Sequence, residues 1–199
     1  MFGLLAAPLL GWHWLASAIA LAFLYGTAFM VGTGYRILIA VALRDASRST
    51  AASWSGATTG VALFGLVGWL ILRAMGGDAA LFLAAFAIAL NTAYLPVKCA
   101  CLLAGCCTAK HETAKLKGDL RHFEIAITGI LIVLAVLAFY GEHLRLAAFI
   151  GIGGHLALRY FSRWARERLP KNLLVQSDAG QELLPLIALT LIALGQVLS

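Results

Sequence analysis

Three short stretches carry most of the side chains that could do chemistry. "KCACLLAGCCTAK", residues 98–110, holds all four cysteines (Cys99, Cys101, Cys106, Cys107) behind Lys98. "DLRHFE", residues 119–124, brings Arg121, His122 and Glu124 together. "HLALRYFSRWARER", residues 155–168, spaces His155, Arg159 and Arg163 four apart, with Arg166 three further on. On a helix that spacing draws all four onto one stripe. A guanidinium donates two parallel hydrogen bonds to a phosphate or carboxylate, so the stripe suits an oxyanion. Arginines near a helix end also lift their heads to the membrane interface, which is enough for Arg166 and Arg168. Arg159 lies a turn deeper and His155 near mid-span, where ionisable groups face an interior path. His122 offers a general base near neutral pH, or is simply solvated at a helix start capped by Asp119.

The cysteines do not read as a metal site. Zinc takes ligand pairs separated in space, whereas one C-x-C and one C-C share a single segment here. Neighbours on a helix point roughly 100° apart and cannot all reach one ion. No C-x-x-C redox unit is present. Small residues packed between helices is the plainer reading. Lys98 is the unusual member: it follows Pro96 in an apolar run and needs a partner or a wet pocket.

The elements that must position these groups are greasy. The chain is 62% hydrophobic and only 12% charged, and its mean hydropathy is +0.91. Several stretches run about 18 residues or more almost without charge, enough to cross a hydrocarbon core. The expected fold is all-α: one polytopic bundle of about six spanning helices over 1–199, with no soluble domain. The expected spans are 14–43, 52–72, 79–107 with a kink at Pro96, 121–140, 144–168 ended by Pro170, and 182–198. Gly26/Gly34, Gly56/Gly60, Gly65/Gly68 and Gly151/Gly154 are spaced for close helix approach. The first residues lack the basic region of a cleavable signal, and Trp12, His13 and Trp14 form an interfacial anchor. A net charge of +6 points to anionic headgroups or phosphate-bearing substrates. No nucleic-acid-binding pattern is visible, and no cofactor is called for.

Several segments together resemble the bacterial prolipoprotein diacylglyceryl transferase family. "GTAFMVGTGYRI" (26–37) is similar to its glycine-rich helix, and "SWSGATTG" (53–60) to its S-F-H-G-G-L-x-G stretch. "KCACLLAGCCTA" (98–109) is similar to its R-x-G-N-F-x-N-G-E-x-x-G segment. "LRHFE" (120–124), "RYFSRWAR" (159–166) and "GQELLPLIALTLIALG" (180–195) follow in the family's order. The resemblance covers most of the chain. It carries over Gly56, Gly105, Glu124, Arg159 and Arg166. Ser55 replaces the family's histidine, Lys98 an arginine, Cys101 an asparagine, Cys106 an acidic residue, and Arg163 a glutamate. The family's first helix and its periplasmic arm and head have no counterpart.

The resemblance implies a transferase in the bacterial inner membrane, with an anionic phospholipid, phosphatidylglycerol, as donor. The acceptor is left open. Lys98, His122, Glu124 and Cys106 become the catalytic candidates. Arg159, Arg163, Arg166, His155 and Arg121 would hold the headgroup; Ser55, Gly56 and Gly105 would pack the pocket. A non-catalytic lipid-binding scaffold and an anion or lipid transporter are the alternatives. The family's topology puts the basic loops outside. The lysine and arginine bias puts the same loops (Arg44 and Arg48, Lys110 to Arg121, Arg163 to Lys171) in the cytoplasm.

Overall fold

A computed structural model describes residues 54–103, 120–165 and 178–198. They form five helices: α1 (Trp54–Ala74), α2 (Ala79–Leu103), α3 (Leu120–Tyr140), α4 (Leu144–Ala165) and α5 (Asp178–Leu198). No strand occurs among the described residues, so the all-helical expectation holds there. The span expected at 14–43 lies outside them. α2 remains one helix through Pro96. α5 begins four residues before the expected start, and Pro185 lies within it as it does within the expected span.

The chain divides into two compact units, Met1–Asp78 with Pro170–Leu189, and Ala79–Leu169 with Thr190–Ser199. In the first, α1 ends on Gly76, whose φ of +72° is open to a residue without Cβ. The amides of Gly76 and Gly77 return to the carbonyls of Arg73 and Leu72 at 3.2 and 2.8 Å. This closes the helix end with a Schellman turn.

In the second unit α2, α3 and α4 each pack against the other two. Chain direction alternates, so the C-terminal end of α2 meets the start of α3 and the end of α4. The opposite end is apolar: Ala84, Ala138 and Ala147 are buried, with Phe139, Leu144 and Ile150 packed on them. Small residues bring the backbones close. A Cβ on Gly151 of α4 would sit 2.6 Å from the Cβ of Ala87 on α2. One on Gly154 would collide with Leu131 on α3. A Schellman turn joins α3 to α4. The His143 amide bonds Ala138 O at 2.9 Å and the Glu142 amide bonds Phe139 O at 3.2 Å. Glu142 takes the left-handed position there, with φ 62°.

α3 is inside out by the standard of a water-soluble helix. It buries Arg121, Glu124, Thr128, Ala135 and Ala138. It exposes Val133 and Leu137 at 57% and 64%. α2 and α3 are long and apolar enough to cross a membrane, while α1 and α5 contribute shorter apolar stretches, Thr59–Ala74 and Leu183–Leu198.

Candidate functional site

The polar end of this three-helix unit is built by one spacing rule used three times. Asn91, Tyr94 and Lys98 on α2 are buried at i, i+3 and i+7. Arg121, Glu124 and Thr128 on α3 repeat it. His155, Arg159 and Ser162 on α4 follow at i, i+4 and i+7. Each trio lies within one narrow arc of its helix, facing the other two helices.

The contacts join into one network. Lys98 Nζ lies 2.9 Å from Glu124 Oε2, with both side chains buried. The same ammonium sits 5.2 Å from the centre of the Tyr94 ring, and the Arg159 guanidinium carbon sits 5.3 Å from it. Arg159 Nη1 donates to the Tyr94 hydroxyl at 2.8 Å. The Tyr94 and His155 rings meet edge to face at 4.9 Å. A phenol ring is suited to this place because its negative face attracts cations while its edge packs as a hydrocarbon.

Asn91 sets the far end. Its Nδ2 donates to Ala87 O on its own helix and to Gly151 O on α4, both at 2.9 Å. Its Oδ1 therefore accepts, and His155 Nδ1, 3.1 Å away, carries the hydrogen of that bond. In the neutral ring the lone pair is then on Nε2. The close approach at Gly151 is what brings the α4 carbonyl within reach of Asn91. Thr128 donates to Glu124 O at 2.6 Å, within its own helix.

Burying Lys98 with Glu124 is expensive, and removing one partner from such a pair costs about 3–5 kcal/mol. The buried side chains among the described residues include three cations, Lys98, Arg121 and Arg159, and one carboxylate, Glu124. Arg121 spends Nη1 on Cys101 O and Leu102 O, at 3.0 and 3.3 Å. This arginine thus ties α3 to α2.

Of the residues singled out in the sequence, Lys98, Glu124, His155 and Arg159 are brought together. The partner that Lys98 requires is Glu124. His122 is exposed on α3, outside the cluster. Arg163 is half-buried in the last turn of α4, where its charge complements the helix dipole. Cys99 is exposed and Cys101 partly buried, so packing between helices suits the second better than the first. Ser55 and Gly56 fall in the first turn of α1. Gly105, Cys106, Cys107 and Arg166 lie outside the described residues. Sequence reasoning passed over Asn91, Tyr94 and Ser162. The signal was present in α2: two polar side chains at i−7 and i−4 from a lysine in an apolar run.

No family model, characterised protein or solved structure matches this chain.

Proposed function

We propose that this is a membrane-embedded protein whose polar three-helix end holds the headgroup of an anionic phospholipid, phosphatidylglycerol or a close relative, as the donor of a glyceryl or diacylglyceryl group. The observation that carries the reading is the buried cluster of Lys98, Arg159 and Glu124 around Tyr94, inside helices whose outer faces are apolar. A headgroup phosphate delivers its charge to such a cluster while its acyl chains stay against residues such as Val133 and Leu137. About six spans in a bacterial inner membrane accompany this reading, with the loops beyond α2 and α4 on the outer side. The resemblance to the diacylglyceryl transferases supports it through three positions, Lys98, Glu124 and Arg159, which lie in one network.

The chemistry is substitution at the glyceryl carbon. A nucleophile of the acceptor forms a bond to that carbon, and the carbon–oxygen bond to phosphate breaks. The phosphate oxygen keeps the electron pair and leaves as glycerol phosphate when the diacylglyceryl group moves, or as phosphatidate when the headgroup glyceryl moves. Arg159 and Lys98 stabilise the charge that gathers there, as donors do in an oxyanion hole. Glu124, the one buried carboxylate among the described residues, accepts the nucleophile's proton.

Incubation of purified protein with headgroup-labelled phosphatidylglycerol and a bacterial membrane extract as the acceptor source tests this. Labelled glycerol phosphate released by wild-type protein and absent with Lys98→Met is expected. Lipid held without any release would make the chain a lipid-binding protein instead.

A further inference from the structure

We propose that Tyr94 gives its phenolic O–H directly to the bound anion, as a neutral hydrogen-bond donor among the cations. This rests on the oxyanion-binding reading above. The Tyr94 oxygen already accepts from Arg159 Nη1 at 2.8 Å. A phenol has one proton to give, and among the described residues nothing accepts it. Tyr94 is 8% exposed, and a buried donor left unused carries a desolvation cost that an incoming oxygen would relieve.

The ring cannot swing the hydroxyl elsewhere without losing its neighbours. Lys98 and Arg159 lie over it, and His155 packs edge to face with it. An oxygen drawn in by those two cations arrives beside the Tyr94 hydroxyl. Accepting from a guanidinium polarises the O–H and makes it a stronger donor. Ser162 repeats the situation one turn beyond Arg159. It is 1% exposed, and its Oγ has no hydrogen-bond partner among the described residues. A cation attracts any anion. Oriented hydroxyls favour a tetrahedral oxyanion, which accepts from several directions at once, and disfavour a halide. The ligand chemistry is therefore a phosphate oxygen, either of a lipid headgroup or of a free phosphate.

Tyr94→Phe keeps the ring, both cation contacts and the edge contact, and removes one oxygen. Binding of phosphatidylglycerol in nanodiscs and of inorganic phosphate in detergent would be measured for wild type and Tyr94→Phe. The unfolding midpoint without ligand would check the fold. Affinity should fall about ten- to a hundredfold, the worth of a hydrogen bond to a charged group. Unchanged affinity would overturn the proposal. Tyr94→3-fluorotyrosine fixes the direction of the bond, because fluorine makes the phenol a better donor and a poorer acceptor. Tighter binding supports donation to the anion. Weaker binding would mean that Tyr94 serves to hold Arg159, and would overturn it. Wild-type protein that binds phosphate but not phosphatidylglycerol, with phosphate lost in Tyr94→Phe, would sink the lipid reading and keep the hydroxyl. Binding of neither would sink both.

Discussion

The two ends of the α2–α4 unit are made of the same three helices and could hardly differ more. One end is closed by the buried alanines Ala84, Ala138 and Ala147, and its charged residues, such as Glu142, stay at the surface. The other buries Lys98, Glu124 and Arg159 around a tyrosine, with Arg121 also buried. The apolar end needs only shape, since close packing of small residues holds helices together in lipid. The polar end needs every partner in place, because an ion left alone in an apolar surrounding is costly. Under the proposed function, holding the fold falls to one end and chemistry to the other.

The largest effect should come from splitting the ion pair. Glu124→Ala leaves Lys98 buried without its carboxylate and should cost about 3–5 kcal/mol, read as a lower unfolding midpoint in detergent. Lys98→Met with Glu124→Gln removes both charges and should recover most of that loss while binding no phosphatidylglycerol. If the double variant still bound lipid, the polar end would be scaffolding like the other. Ala147→Leu strikes the packing side, where Ala147 is fully buried in the cluster with Ala84 and Ala138. Overpacking of this kind costs about 1–3 kcal/mol. The folded fraction should still retain lipid, and its loss would show that the two ends are not separable. Glu142→Gly at the α3–α4 turn should be the mildest change. It relieves the left-handed strain of a residue with Cβ, gains about 1 kcal/mol or less, and should leave lipid turnover untouched.

How much of this was legible depended on whether a residue's meaning was local. Apolar runs and prolines placed the described helices to within a few residues, because helix formation in lipid is set by composition along one segment. Lys98 announced that it needed a partner, since a lysine in an apolar run is rare whatever surrounds it. Glu124 was readable only as a helix-start residue and as a family match. Its pairing with Lys98 depends on how α2 and α3 cross. Asn91 and Tyr94 were missed because each is unremarkable in an apolar helix until a neighbour supplies Gly151 O or Arg159. The carbonyls that Arg121 meets on α2 were equally out of reach of the sequence, since they belong to another helix. The histidine ranked as a base, His122, is exposed, while His155 is fully buried.

The most direct test of the central claim is the lipid that stays with the purified protein. Native mass spectrometry of wild type, Arg159→Ala and Arg73→Ala compares a cation of the cluster with an exposed one at the end of α1. Wild type and Arg73→Ala should carry phosphatidylglycerol, and Arg159→Ala should lose most of it. Equal retention by all three would contradict the account.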